Sequence, residues 1–291
     1  MYPTFVAFIA ALMVAASSVT VPALAQGDVL RTLINACTGC RLPKDLHGRE
    51  LHGLRFIGVD LRDADLSGAN LRDAQFTGAD IDGARFNDAD LTGARFIGVR
   101  LRRTSFTGAN LSGAAFVGVS ITQADLAGPP ARSILRKCTG CSLHDLDLHD
   151  ADLRGIDIVG SSLTSSNLAG AHLNDAQLVG VDAHGTDFSR ADLRGANLIA
   201  TGLRDARLTN ALLGDAILCA QSPHIVTDDG PDHHESCANL RGADLHGVDF
   251  RAARTCYEDD DDRAARTCRT ITRNEVVNAA HADLTGAQAP A

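Results

Sequence analysis

From Leu46 to Leu126 every fifth residue is Leu, Phe or Ile without a gap: Leu46, Leu51, Phe56, Leu61, Leu66, Leu71, Phe76, Ile81, Phe86, Leu91, Phe96, Leu101, Phe106, Leu111, Phe116, Ile121 and Leu126. Two positions before most of these centres stands a small residue, as at Ala64, Ala69, Ala74, Ala79, Ala84, Ala89 and Ala94. An α-helix advances about 100° per residue, so positions five apart scatter round its surface. In a continuous strand an odd spacing sends successive centres to opposite faces. Neither element buries this pattern. A chain that turns a corner after every pentapeptide does, because each centre then points to a common axis. A fixed period of this kind sets the architecture ahead of local propensity.

Every twentieth residue sharpens the identity. One column reads Phe56, Phe76, Phe96, Phe116, a second Leu51, Leu71, Leu91, Leu111, and a third Leu61, Ile81, Leu101, Ile121. Twenty residues are four pentapeptides, so each coil has four sides and like residues stack in ladders. The small residues also face inward, where a narrow tube leaves little room. Gly, Asn and Asp recur near the corners, as tight turns require. Apolar residues held in register this way exclude a disordered tract.

Tracts such as Ala64-Asp65-Leu66-Ser67-Gly68 and Ala69-Asn70-Leu71-Arg72-Asp73 resemble the pentapeptide repeat family, whose repeat is written A(D/N)LXX. The resemblance implies an all-β fold, a right-handed quadrilateral β-helix. It says little about activity, since the repeat residues are the core.

Along the chain, residues 1–25 read as a secretory signal peptide. They carry no charged side chain, hold an apolar run from Phe5 to Ala16 and end Ala23-Leu24-Ala25, an A-x-A-like cleavage site. The missing Lys or Arg near the start is a departure, and an uncleaved anchor is the alternative. Residues 26–45 form an N-terminal cap: Val29, Leu30, Leu33 and Ile34 share a helical face and precede Cys37-Thr38-Gly39-Cys40. An exposed end of a coil stack calls for such a cover. The first solenoid is 46–126. Residues 127–142 break the register, since Leu126 and Leu143 are seventeen apart. Here Arg132-Ser133-Ile134-Leu135 and Cys138-Thr139-Gly140-Cys141 repeat the cap segment, which leads us to expect two solenoid segments, each with a short capping helix. The second segment is 143–291, with Ala183 as a weak centre and inserted loops at 219–237 and 251–278. Removing the seventeen residues Ala220 to Ser236 restores the five-residue register.

Composition narrows the function. The net charge is −9, from 36 acidic against 27 basic residues, which disfavours a nucleic-acid-binding surface. No apolar run after the N-terminus is long enough to span a membrane. Eight cysteines in an exported chain are most simply four disulfides, and position nominates Cys37–Cys40, Cys138–Cys141, Cys219–Cys237 and Cys256–Cys268. The Cys219–Cys237 pair closes an inserted loop at its base, and the short CxxC rings are expected to clamp the cap helices to their coils. Cys37 and Cys40 with His47 and His52, or Cys138 and Cys141 with His144 and His149, are a zinc set in kind but not in spacing. Asp228, Asp229, Asp232, His233 and His234 concentrate ligand-type side chains in the loop and are weak metal candidates. The acidic run Glu258 to Asp262 lacks the alternation of a calcium loop. No spacing nominates a catalytic set, and no cofactor is called for.

The residue after each centre should face solvent. On one side it reads Ile57, Thr77, Ile97, Val117 and, in the second segment, Val159, Val179, Ile199. Strand propensity accounts for β-branched residues there; an interaction face formed by Ile57, Ile97, Val117, Val159, Val179 and Ile199 is the alternative. The expectation is a non-catalytic, secreted or periplasmic scaffold with a structural or protein-interaction role, through a protein partner or self-association. It has no direct nucleic-acid contact and no membrane span after signal cleavage. The resemblance also implies an alternative, an acidic DNA mimic that inhibits a type II topoisomerase, and the His/Asp loop leaves a third, a metal-binding module.

Overall fold

A computed structural model describes residues 39, 41–126, 131–221, 236–241, 243–258 and 266–270. The signal segment, the helix expected over Asp28–Ala36, Cys37, Cys40 and the loop carrying Asp228, Asp229, Asp232, His233 and His234 lie outside the described residues.

The chain winds as a four-sided β-solenoid. On the Phe56 side five short parallel strands stack in chain order: β1 (Arg55–Ile57), β2 (Gln75–Thr77), β3 (Arg95–Ile97), β4 (Ala115–Val117) and β5 (Cys138–Thr139). Their register is twenty residues per coil, Phe56 on Phe76 on Phe96 on Phe116. The other three sides pair through isolated parallel bridges in the same register, such as Asp60 with Asp80, Asp65 with Arg85 and Asn70 with Asp90.

Outside the Phe56 side of the first ladder most corners are tight turns in which the amide three residues after a centre bonds back to it, as Ala64 N does to the Leu61 carbonyl at 3.0 Å. The residue second after the centre has positive φ, 54° at Asp63 and 64° at Gly68, as a type II turn demands of its third position. Glycine, or Asp and Asn with their short polar side chains, fills it most often, and Arg103, Ser165, Arg190 and Ala200 also stand there.

The centres and the small residues before them form one buried core. In the first ladder two phenylalanine columns face each other across the tube. Phe56, Phe76, Phe96 and Phe116 stack on one side with neighbouring ring centroids 4.7–4.9 Å apart, and Phe86 stacks on Phe106 at 5.2 Å. The columns meet edge to face: Phe76 and Phe86 lie 5.6 Å apart at 89°, the arrangement that ring quadrupoles favour. Where Ser or Thr replaces the small Ala, the buried hydroxyl bonds to the coil below. Thr186 Oγ1 donates to the Leu163 carbonyl and Thr201 Oγ1 to that of Leu178, each at 2.8 Å.

The two segments make a single stack. β4 pairs directly with β5, Phe116 opposite Cys138, and Ser120 bridges Ser142. The junction coil is two residues longer than a regular one, and two of its sides absorb the surplus. A 3-10 helix (Gln123–Leu126) and α1 (Ala131–Leu135) replace strands on the Leu66 and Leu51 sides. Gln123 restores lost ladder bonds with its side chain, accepting from Asp147 N at 2.8 Å and donating to the Asp147 carbonyl at 3.3 Å. Ile134 and Leu135 of α1 are buried where the missing centre would stand. The helix expected as a second cap therefore lies inside the stack, because the coil continues above it.

At the far end β6 (Ile217–Gln221) runs parallel to β8 (Arg254–Glu258), with Ile217 opposite Arg254 and a bulge before Cys219. β7 (Ser236–Cys237) and β9 (Arg266–Thr270) add antiparallel on either side.

Candidate functional site

The outer surface is built from three rows per side: the residue before each centre, the residue after it, and the corner. The Asp or Asn before the centre caps the chain locally. Its side-chain oxygen accepts the amide two residues on, as Asp65 does from Ser67 at 3.0 Å, Asp187 from Ser189 at 2.9 Å and Asp249 from Arg251 at 2.9 Å. This Asx geometry explains the acidic position of the repeat.

Most of these carboxylates also hold an arginine. Arg62 and Arg41 both reach Asp60, Arg85 reaches Asp65 across one coil at 2.9 Å, and Arg207 reaches Asp187 at 2.8 Å. Arg154 grips Asp152 with two nitrogens at 2.8 Å each. The same bonds keep the acids ionised. The hydrogen bond from Arg62 holds the Asp60 carboxyl far below the usual range, and that from Arg194 brings Asp192 down to about 2. Asp147 raises the pKa of its neighbour His149 through the hydrogen bond between them.

One side departs from this pattern. Before the centres of the Phe56 side stand Arg55, Gln75, Arg95, Ala115 and Lys137, with no carboxylate until Asp157. Arg55, Arg95 and Lys137 are exposed, and among the described residues none has an ion-pair partner. Beside them runs the β-branched row. Because the segments are coaxial, Ile57, Thr77, Ile97, Val117, Thr139, Val159, Val179 and Ile199 fall in one stripe along one side.

That stripe is less open than its sequence suggests. Ile57, Ile97, Val117, Val159 and Val179 are half-buried, and Ile199 is only 7% exposed. Neighbouring rungs about 4.8 Å apart cover one another. Among the described residues the one large exposed hydrophobic is Leu212, at 47%. It occupies the Asp/Asn position of its repeat, Ala211-Leu212-Leu213, so the sequence carried the signal.

The cysteines sit deeper than expected. Cys138 takes the central position above Phe116, Cys141 the small inward position of the next pentapeptide, and their disulfide lies in the core. It spans a corner inside the tube and does not clamp a helix to the coil. Ser161 Oγ bridges that corner, accepting from Cys141 N and donating to the Cys138 carbonyl, both at 3.0 Å. Cys219 and Cys268 are each disulfide-bonded; the strand register sets Cys219 opposite Cys237 and Cys256 opposite Cys268.

The zinc set Cys138, Cys141, His144 and His149 is not assembled. The sulfurs are joined inside the tube, while His144 and His149 stand on the outside, paired with Asp145 and Asp147. Among the described residues no group of three or more His, Cys, Asp or Glu is placed to hold a metal ion, and no helix is long and apolar enough to cross a membrane. A shallow depression of about 650 Å³ near the N-terminal coil is lined by Lys44, Asp45, His47, Gly48, Arg49, Asp63, Asp65 and Arg85. Its charges pair with each other, Lys44 with Asp63 and Arg85 with Asp65.

No curated protein matches the chain significantly. Among solved structures the chain is similar to a pentapeptide repeat protein of the Arabidopsis thaliana thylakoid lumen, at 28% identity over 47% of this chain and 79% of that one, with a TM-score of 0.34. It is also similar to HetL, a pentapeptide repeat protein involved in heterocyst differentiation regulation in Nostoc sp. strain PCC 7120, at 26% identity over 75% of this chain and 85% of that one, with a TM-score of 0.35. A third is trypsin-treated QnrB1, a plasmid-mediated fluoroquinolone resistance protein, at 21% identity over 74% and 84% of the two chains, with a TM-score of 0.27. The family described as Pentapeptide repeats matches residues 55–93, 84–128, 161–199 and 176–215 in eight copies. The five-residue period and four-sided coils are those of pentapeptide repeats, and over residues 55–128 and 161–215 the chain matches the pentapeptide repeat family.

Proposed function

We propose that this protein is an exported, non-catalytic scaffold that works by presenting its outer side to another protein. The observation that carries the reading is the single straight stripe from Ile57 to Ile199, on the side where the segments share one parallel ladder. A row of β-branched side chains eight coils long is a regular, rigid surface for a partner, and its geometry depends on no moving part.

Export rests on two features. The apolar leader ending Ala23-Leu24-Ala25 has the form of a cleaved signal, and cysteine pairs such as Cys138–Cys141 belong to oxidising compartments. The DNA-mimic alternative asks for a surface of one sign. Here Asp60, Asp65, Asp152, Asp187, Asp192 and Asp249 each carry an arginine.

Two measurements test the proposal. Intact mass of the chain from its native host should begin at Gln26, with alkylation of thiols only after reduction; a full-length chain with free thiols defeats export. Substituting Ile57→Lys and Ile97→Lys should abolish association while leaving the circular dichroism unchanged. Unaltered association means the stripe is strand propensity alone.

A further inference from the structure

We infer that the first half of the Phe56 side is a docking site for an extended acidic polypeptide with Asp or Glu at every third position. The inference rests on the scaffold reading above and adds the chemistry of the partner.

The argument begins with charge. In a chain of net charge −9, Arg55, Arg95 and Lys137 stand in one row, exposed and without a carboxylate partner among the described residues. On other sides Arg85 and Arg207, at the same position of the repeat, find Asp65 and Asp187 in the neighbouring coil. Between the three cations lie only Gln75 and Ala115. The row thus carries only positive charge from Arg55 to Lys137, and Asp157 in the next coil ends it.

Spacing gives the partner's form. The three cations occupy every second coil, Arg55 over Gln75 over Arg95, then Ala115 and Lys137. Rungs about 4.8 Å apart put them about 9.6 Å from one another along the axis. A polyproline II segment rises about 3.1 Å per residue with three residues per turn, so every third side chain returns to the same face after about 9.3 Å. Acidic side chains at that interval meet one cation each. The next face of such a segment then lies against the half-buried row of Ile57, Ile97 and Val117, and the third faces solvent. The parallel ladder lets an extended segment follow the row from coil to coil, and opposite charge sets its register and accelerates encounter.

The test uses the full mature protein with its disulfides intact and fluorescence anisotropy of a labelled peptide of about twelve residues, with Glu at every third position in a proline and valine background. The expected result is binding that falls as salt rises and weakens at least about tenfold in the variant Arg55→Glu, Arg95→Glu, Lys137→Glu. A peptide of the same composition with its Glu residues clustered should bind several-fold more weakly. The variant Arg62→Glu, which reverses a cation already held by Asp60, should bind like the parent. Equal binding of the two peptides, equal binding by the parent and the triple variant, or no binding overturns the proposal, as does charge-dependent binding to phosphatidylglycerol vesicles without binding to the peptide. If the peptide fails while Ile57→Lys and Ile97→Lys still abolish association, only the acidic chemistry falls. If both fail, the contact face falls with it.

Discussion

The two ladders share a tube and a register but solve the interior differently. In the first, between Leu46 and Leu126, aromatic rings fill the axis: four phenylalanines stack on one side and two on the opposite side, meeting edge to face. There the Phe56 side opens into three-residue strands. In the second, between Leu143 and Leu218, the same side is centred on Ile158, Leu178 and Leu198, and every side closes in tight turns, with Ser161 N bonded to the Ile158 carbonyl and Thr201 N to that of Leu198. Hydroxyls then do part of what rings do in the first ladder. Ser161, Ser166, Thr186 and Thr201 tie one coil to the next from inside. One tube is held by dispersion along a column, the other by smaller centres and buried, satisfied hydrogen bonds.

If that contrast is right, the largest loss should come from breaking the ring columns. Phe96 is fully buried and touches Phe76, Phe86, Phe106 and Phe116. Phe96→Ala should cost about 3–5 kcal/mol, read as a lowered urea midpoint. The matching cut in the second ladder is Ser166→Ala. Its hydroxyl accepts from Leu146 N at 3.0 Å and donates to the Leu143 carbonyl at 2.9 Å, so it sits inside the turn of the coil below. Removing it strands two backbone groups unless the turn closes, a loss of about 1–3 kcal/mol. A loss at Ser166 as large as that at Phe96 would erase the distinction.

How far the sequence revealed this differs from residue to residue. The five-residue period made the tube legible, because Leu, Phe or Ile at every fifth position has one burial solution. The continuity of the two ladders was hidden: a gap of seventeen between Leu126 and Leu143 looks like an end, and only the pairing of Phe116 with Cys138 shows that two helical sides absorb the surplus. The inward cysteines follow from the same point, since Cys138 could be recognised as a centre only once the coil was known to continue. The β-branched row was readable as a row, but its half-burial depends on rungs stacking at their true distance. The row of cations was legible only in part. Arg55 and Arg85 occupy the same position of the repeat; the twenty-residue column sets Asp65 against Arg85, but that the two pair, and that Arg55 and Lys137 share a row without an ion-pair partner among the described residues, needed the stack.

The corners sharpen the comparison next, because they are common to both ladders. At Gly83, with φ +72°, an added Cβ would stand 2.5 Å from Asp63 Oδ1 in the coil below, whereas at Gly98, with φ +59°, nothing lies within 4 Å. Ala200 already occupies a corner at φ 56°, so the backbone there tolerates a side chain at modest cost. Gly98→Ala should therefore lose about 1 kcal/mol, and Gly83→Ala more, by the displacement of the Asp63 carboxylate. Equal losses would mean that backbone conformation alone decides these positions.

The smallest effect belongs to the surface. Asp192 is held down to about 2, chiefly by the hydrogen bond from Arg194, whose Nε stands 2.8 Å from Oδ1. In the unfolded chain the group titrates near 3.9. A carboxyl whose pKa is lower in the folded state contributes stability that is fully present above the unfolded value, and that is lost as pH falls through the folded one. The contribution of this pair should therefore be constant from neutral pH down to about 5, fall as pH drops through about 4 and about 2, and vanish only below both values, at about pH 1. Arg194 is 60% exposed, so solvent screening keeps the pair within about 0–1 kcal/mol. Arg194→Ala should lower thermal stability slightly at pH 7 and leave it unchanged at about pH 1, below both titrations, where parent and variant both carry a protonated Asp192. A difference that persists at about pH 1 would assign the loss to packing of the arginine stem over Gly214, which its Cγ approaches in the next coil, and not to its charge.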